Sequence, residues 1–269
     1  MKRALSLLLV LAMLLALNGG AEYLSSSKLK VGQTITMGTY DTDGKSSTRD
    51  KLTWRVLAVS GHKALVITED IIHCGSYFNP SWIKYKYTYW SGSYIGTAES
   101  VNYRGSGPAT DKTRFKVSKY KIPLKNGGYG SDDDLYQYHA RYWLNKVFYK
   151  NAFSSSEKKR IVRVENENKN NPQYGVKGGP STKDYVFFLS YDEVLKYMPN
   201  RSDRTASFTA KARSENSSSE KSPNWWLRSP GKYRVNAMYV SGRTGSISVS
   251  GSDVGHSDVG YRPAMWITF

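Results

Sequence analysis

Cysteine is almost missing from this chain of 269 residues: Cys74 is the only one. A single thiol closes no internal disulfide, so stability has to come from packing, even in an oxidising compartment. Histidine is nearly as scarce. His62, His73, His139 and His256 are scattered without the paired spacing that metal ligands adopt, so neither a zinc nor an iron centre has a foundation here. Acidic residues are few beside basic ones, 22 against 39, for a formal net charge of +17. That imbalance attracts polyanions such as teichoic acid, anionic lipid or acidic glycan. It serves solubility and non-specific adhesion equally well, because no Lys/Arg block is dense enough to mark out a groove. Long hydrophobic runs are missing too, with one exception at the start.

Lys2-Arg3 precede Ala4 to Leu17, an uncharged run whose only polar residue is Ser6, and small residues follow in Asn18-Gly-Gly-Ala21. A basic start, an apolar middle and a small-residue end form the pattern of a secretory signal peptide. The run falls short of the roughly 20 residues that cross a bilayer. Cleavage after Ala21 is the expectation, leaving residues 22–269 as one large domain without a transmembrane span. An uncleaved anchor is the second reading, and the lack of a cysteine after the run speaks against a lipoprotein. A lone cysteine suits bacterial export better than a eukaryotic secretory route. Nucleic acid would suit the charge but belongs to the wrong compartment.

Residues 29–70 read as strands: Leu52-Thr-Trp-Arg-Val-Leu-Ala-Val59, a turn at Ser60-Gly-His-Lys63, then Ala64-Leu-Val-Ile-Thr68 make a hairpin, with Trp54 as a core anchor. An insertion at about 79–131 is rich in Gly, Ser, Lys, Asn and Thr and carries Tyr85-Lys-Tyr-Thr-Tyr89-Trp90 in alternation. Eleven of the 21 tyrosines fall between Tyr77 and Tyr142, so the aromatic loading is local and suits either a contact surface or a small core of the insertion itself. Asp132-Asp-Asp134 opens a helix from Leu135 to about Lys150. Ser154-Ser-Ser-Glu157 and Ser190-Tyr-Asp-Glu193 are capping boxes that start two more, the second ending near Tyr197 and Pro199. Between them lie Ile161 to Val164, an exposed loop over 165–183 and a buried strand at Tyr185-Val-Phe-Phe-Leu189. Residues 213–224, with five serines, read as flexible. Strands at Trp225 to Leu227, Ala237 to Val240, Ile247 to Val249 and Tyr261 to Thr268 close the chain, with Gly242-Arg-Thr-Gly245 as a hairpin turn.

Two motifs dominate this last part: Asn224-Trp-Trp-Leu-Arg-Ser-Pro-Gly231 and Gly260-Tyr-Arg-Pro-Ala-Met-Trp-Ile267. Together with Trp54-Arg-Val-Leu, Arg141-Tyr-Trp-Leu-Asn145, Phe148, Ala152-Phe153 and Phe188-Leu-Ser190, they resemble a family of uncharacterised secreted modules of Gram-positive bacteria over most of residues 50–269. The ending is similar to that of the formylglycine-generating-enzyme subgroup of C-type lectin-like proteins. The resemblance implies an α+β, loop-rich fold with short helices around small antiparallel sheets, in which two strand motifs bracket ligand-facing loops, here residues 233–258. Trp143 and Trp266 join Trp54, Trp225 and Trp226 as structural core residues. Arg228 and Arg262 are expected to fork onto backbone carbonyls or a carboxylate and pin the loops, in preference to touching ligand.

The enzyme chemistry of that subgroup does not carry over. Copper-dependent oxidation needs two cysteine ligands, and the iron-dependent relatives need a histidine cluster. No nucleophile-elbow pattern frames a serine. Glu165 and Glu167 sit in a polar, Asn-rich stretch and read as a solvated loop ahead of a glycosidase pair. Cys74, after Ile71-Ile72, reads as a packing residue ahead of a nucleophile. Ser252-Asp-Val-Gly255 recurs as Ser257-Asp-Val-Gly260; Asx-turns at Asp253 and Asp258 are the first reading, calcium the second. The expectation is therefore a non-catalytic exported module that needs no cofactor. It would bind a cell-surface polyanion, glycan or host protein through Tyr233, Arg234, Tyr239, Arg243 and Tyr89. The alternatives are an extracytoplasmic enzyme acting on wall or glycan substrate, and a structural envelope protein held by charge.

Overall fold

The computed structural model of the chain describes residues 29–45, 47–77, 87–88, 94–96, 122–123, 129–130, 140–179, 181–219, 221–233 and 236–269. The expected signal segment, the acidic helix start at 132–134 and most of the tyrosine-rich insertion lie outside them.

The strands are, in order, β1 (Thr34–Tyr40), β2 (Asp50–Ser60), β3 (Lys63–Thr68) and β4 (His73–Cys74). Two small hairpins follow, β5 (Tyr87–Thr88) with β6 (Tyr94–Gly96) and β7 (Ile122–Pro123) with β8 (Tyr129–Gly130). Next come β9 (Ile161–Val162), β10 (Val164–Asn166) and β11 (Thr182–Asp184). The last five are β12 (Asn224–Pro230), β13 (Asn236–Ser241), β14 (Ile247–Asp253), β15 (Gly260–Tyr261) and β16 (Ala264–Thr268). One antiparallel sheet runs in the order β1-β2-β3-β16-β9. A second runs β14-β13-β12-β15-β4, antiparallel except where β12 meets β15. The helices are short: α1 (Ala140–Tyr142), continued as a π-helix over Trp143–Phe148 and as α2 (Tyr149–Ala152), then α3 (Ser155–Arg160), α4 (Tyr191–Tyr197), α5 (Arg201–Arg204) and α6 (Ala210–Glu215). The fold is mixed α and β, mostly sheet, and no helix among the described residues is long and apolar enough to cross a membrane.

Strand alternation divides the interior in two. In β12, Trp226 faces a core built from Trp54, Val56, Val66, Phe148, Phe153, Phe188 and Met265. Its neighbours Trp225 and Leu227 face a second core with Leu65, Ile67, Val194, Met198, Met238 and Val240. Side chains two apart share a face, so the doubled tryptophan places one ring in each core. Both rings are fully buried, as is Trp54. Each indole also finds a carbonyl: Trp54 Nε1 donates to Met37 O at 2.7 Å, Trp225 to Arg204 O at 3.2 Å and Trp226 to Gly75 O at 3.0 Å. Truncating such a ring to alanine costs about 3–5 kcal/mol.

Local signals account for the element ends. Ser154 Oγ accepts from Glu157 N while Glu157 Oε2 accepts from Ser154 N at 2.8 Å, and Ser190 and Glu193 repeat the arrangement at the start of α4. The hairpin of β2 and β3 turns at Gly61-His62, and that of β13 and β14 at 242–245.

Four segments differ from the sequence expectation. Residues 165–183 are an exposed loop only in part: their ends pair as β10 and β11, and Asn166, Asn168, Asn171 and Thr182 are buried. Val186 to Leu189 are buried as expected but form no regular strand beyond the bridge of Phe187 with Ala264. Beyond that bridge and the Arg228 N–H on Leu189 O, their backbone groups are met by side chains. Asn145 Oδ1 accepts from Tyr185 N at 2.9 Å and its Nδ2 donates to Val186 O at 2.9 Å, while Arg228 donates to Phe188 O at 2.9 Å. Residues 213–215 end α6, and Asn216 is buried with its amide on Asp258 O at 2.6 Å, so the serine-rich stretch starts pinned. Finally, 233–258 is largely the β13–β14 hairpin, with Ala237, Met238 and Val240 in the cores.

The two motif glycines are sites of close approach. A Cβ on Gly231 would lie 2.4 Å from Ser250 O, and one on Gly260 would lie 2.2 Å from Ile71 Cγ2. Gly260→Ala is therefore expected to destabilise the protein by about 1–3 kcal/mol, as overpacking does. Urea unfolding measures it; an unchanged midpoint contradicts the packing account.

Candidate functional site

Two arginines anchor the C-terminal motifs, and they end up in different surroundings. Arg262 is fully buried. Its Nε donates to Thr68 O at 2.9 Å, Nη2 to Glu69 O at 3.1 Å and Nη1 reaches Arg204 O at 3.5 Å, with the guanidinium 5.1 Å from the Trp225 ring centroid. Burial pulls its pKa down to about 10, against the opposing pull of Glu69, so it stays charged at neutral pH. Arg228 is 6 % exposed. Its Nη1 pairs with Glu193 and with Phe188 O, and the group lies over the Phe187 ring at 5.6 Å.

Arg228 also borders an open cleft of about 250 Å³. The walls come from β10 and the segment after it (Glu165, Asn166, Glu167, Lys169, Asn170, Pro172), from the start of α4 (Ser190 to Glu193) and from Ser229. Most charges in it are paired: Glu193 with Arg228 and Asp192 with Lys169 at 3.1 Å inside the wall, and Glu165 with Lys183, outside it, at 3.7 Å. Ser229 Oγ accepts from Tyr191 N at 2.9 Å, so β12 and the N-terminus of α4 are locked together at the cleft floor.

Asn171 holds the other wall. Its side chain is 2 % exposed and uses both ends: Nδ2 donates to Pro230 O at 2.8 Å and to Val249 O at 2.9 Å, and Oδ1 accepts from Gln173 N and Tyr174 N at 2.9 Å each. The loop closes on itself through Asn171 N to Val176 O at 2.8 Å and Gly175 N to Asn171 O at 3.0 Å. Beside it, Lys232 N donates to Ser250 O at 2.7 Å and Asn236 N to Tyr233 O at 2.9 Å. These bonds present Tyr174 and Tyr233, two of the five exposed large hydrophobic side chains among the described residues. Lys232 Nζ lies 5.6 Å from the centroid of Tyr174 and 5.3 Å from that of Tyr233.

Of the residues singled out as ligand-binding, Tyr233 is 60 % exposed at this edge. Tyr239 is half-buried against the first core, opposite Trp226 and Ser248. Arg243 is exposed in the turn at the far end of β13. Tyr89 and Arg234 lie outside the described residues. The structure thus gathers Tyr233 not with Tyr239 or Arg243 but with Lys232 and Tyr174, and Tyr174 stands two residues along the chain from Pro172 of the cleft wall. Trp143 is partly buried on the first core and Trp266 on the second. Nothing in the sequence separated Asn171 from its neighbours Asn168 and Asn170, so the loop it anchors, and with it Tyr174, went unrecognised.

The histidine beside the lone thiol forms a separate cluster. Cys74 is 6 % exposed, and burial, followed by the charge of Glu215, pushes its thiol up to about 12, away from a nucleophilic thiolate. His73 stacks on Trp143 at 4.7 Å, and its Nδ1 lies 2.8 Å from Glu215 Oε2, out of line for an N–H hydrogen bond. Glu215 also accepts from Cys74 N at 3.0 Å and faces Lys211 at 3.6 Å, which in turn pairs with Asp41 at 3.0 Å. Burial works against the charge on Glu215, but His73, the Cys74 N–H and Lys211 outweigh it and hold the carboxyl below its usual range. This is a structural tie between α6, β4 and the end of β1. The repeated Ser-Asp-Val-Gly is structural too: Val254 and Val259 both enter the first core, and Asp253 Oδ1 accepts from Gly255 N at 2.8 Å in an Asx-turn. Among the described residues, no three His, Cys, Asp or Glu side chains converge as a metal site.

Compared with known proteins, residues 135–269 match the family described as Domain of unknown function (DUF6273), which takes in the cleft, the pinned loop and both C-terminal motifs. No curated protein and no solved structure matches the chain.

A carboxyl held below its usual range contributes stability that is present above its unfolded pKa and lost as the pH falls through the folded one. Glu215→Gln is expected to cost about 1–2 kcal/mol at neutral pH. The gap between variant and parent should close as the pH drops from roughly 7 to 3. Urea midpoints across that range test it, and a gap undiminished at the acid end contradicts it.

Proposed function

The chain belongs to the DUF6273 family, and we propose that it is an exported, non-catalytic module that binds a glycan of a cell or host surface. The observation that carries this reading is the edge built around Arg228. There, carboxylates, amides and cations, most of them paired, line an open cleft, and the loop that continues from its Pro172 wall carries exposed Tyr174 beside Lys232 and Tyr233. Sugar hydroxyls both donate and accept, and a wall of paired polar groups offers both without a large reorganisation. Exposed, held aromatic rings add contact area at low entropic cost.

The same reading keeps the finer fold assignment as a proposal. Short helices around antiparallel sheets, closed by a Trp-Trp-Leu-Arg strand and a Gly-Tyr-Arg strand, support a C-type lectin-like arrangement of the kind found in secreted Gram-positive proteins. The ligand edge then lies at the Asn-rich loop and the 231–233 turn, not along the whole 233–258 segment. Export rests on the Lys2-Arg3 and Ala4 to Leu17 pattern.

A second reading has one observation in its favour: Glu165, Glu167 and Asp192 border the same cleft. Carboxylates sharing a cleft are the equipment of a glycan hydrolase. Incubation with peptidoglycan followed by mass spectrometry of the products separates the two readings, since release of fragments requires turnover.

Binding to isolated cell-wall polysaccharide provides the direct test. The parent protein should bind saturably, and the double substitution Glu167→Ala with Asp192→Ala should weaken binding about tenfold, a loss of about 1.4 kcal/mol. Its melting temperature should stay within a degree or so, because exposed surface positions contribute little to stability. Unsaturable adhesion that salt abolishes equally in parent and variant contradicts the proposal.

A further inference from the structure

We propose that Tyr174, Lys232 and Tyr233 form a stacking site for a pyranose ring that bears an anionic substituent. The inference rests on the glycan-binding reading and names the ligand class for one part of that edge. Three observations carry it.

The first is exposure against rigidity. Tyr233 keeps 60 % of its surface in solvent and Tyr174 keeps 37 %, although the backbone beneath them is tied down at Asn171, Gly231 and Lys232. Rings held open in this way contribute little to folding, and a saturated sugar face matches them: its C–H groups lie on the π surface.

The second is an uncommitted cation. Among the described residues no carboxylate pairs with Lys232; its neighbours are the two aromatic rings. Lys169, the lysine that lines the neighbouring cleft, is already paired with Asp192. An ammonium held between two tyrosines is therefore placed to meet an anion that arrives with the ring. Carboxylate and phosphate meet a lysine in the same way, as a point charge.

The third is composition on the two sides of the loop. The cleft that Pro172 borders is lined by four carboxylates, Glu165, Glu167, Asp192 and Glu193, and by two cations, Lys169 and Arg228; even with Lys183 paired to Glu165 from outside the lining, the balance stays negative. An anion is repelled there, so the negative group of an acidic sugar is steered to the Lys232 side while its hydroxyls face the cleft. The +17 charge of the whole chain draws such a ligand in from a distance.

Isothermal titration of the full chain with tri-galacturonate, its methyl ester and glucose 6-phosphate tests the site. Tri-galacturonate is expected to bind about tenfold more tightly than the ester. Lys232→Gln should erase that preference, while Lys159→Gln, an exposed lysine on α3, should leave it intact. Tyr174→Ala and Tyr233→Ala should each weaken binding roughly five- to tenfold without shifting the melting temperature. Binding of glucose 6-phosphate with the same dependence on Lys232 also supports the site and identifies phosphate as the substituent. Equal affinity for acid and ester overturns this inference but leaves the glycan-binding reading standing. Equal effects of Lys232→Gln and Lys159→Gln overturn it as general charge attraction, and absence of saturable binding by all three probes overturns it outright.

Discussion

A positive charge with no carboxylate partner among the described residues sits at the junction of β3, α5 and the β15–β16 link, and the arrangement of the C-terminal half follows from it. Arg262 is closed off from water and is held by the carbonyls of Thr68, Glu69 and Arg204 and by the face of Trp225. Removing an ion from water costs several kcal/mol even after relaxation. Only a fixed set of dipoles and a π face at short range offset that cost. The end of β3, the end of α5 and the link from β15 to β16 must therefore all stand where the guanidinium needs them. Arg204 O is shared, since it also accepts from Trp225 Nε1, which fixes the indole relative to the charge it covers.

From that junction β12 runs outward. Trp225 and Trp226 root it in both cores, Arg228 emerges at the cleft floor, Ser229 locks the start of α4, and the chain then turns at Gly231 to present Lys232 and Tyr233. Scaffold and candidate binding edge thus follow one another along one strand and the turn that ends it. The Asn-rich loop completes the edge from the other side, because Asn171 bonds the carbonyls of Pro230 and Val249. Rigid presentation of exposed rings is what a binding surface requires and what a solvated loop lacks.

The parts legible in the sequence were those where one local rule decides. The Ser-x-x-Glu boxes at Ser154 and Ser190 specify helix starts by chemistry alone, and the hairpin of β2 and β3 follows from alternation around a glycine turn. Alternation also explains why two tryptophans in a row are both buried. The misread parts depend on partners far along the chain. The run from Tyr185 to Leu189 has the hydrophobicity of a strand, yet outside the bridge to Ala264 its backbone is satisfied by Asn145 and Arg228, about 40 residues away on either side. Asn166, Asn168 and Asn171 have the composition of a solvated loop, and only contacts to Asp184, Pro230 and Val249 show that two of them are anchors. For the same reason Tyr233 could be named from its place between the two motifs, whereas Tyr174 and Lys232 could not. Tyr239 lies in the register of a half-buried strand position, which a reading of 233–258 as loops could not anticipate.

On this structure the C-terminal scaffold holds the Tyr174–Tyr233 edge rigid before any ligand arrives. Amide hydrogen exchange of the unliganded protein tests it most directly, since the amides of Gln173, Tyr174, Gly175 and Lys232 all donate within this edge. Slow exchange is expected at these four, lost in Asn171→Ala for the first three while β3 and β16 remain protected. Exchange at the rate of an unstructured chain at these positions in the parent protein would contradict it.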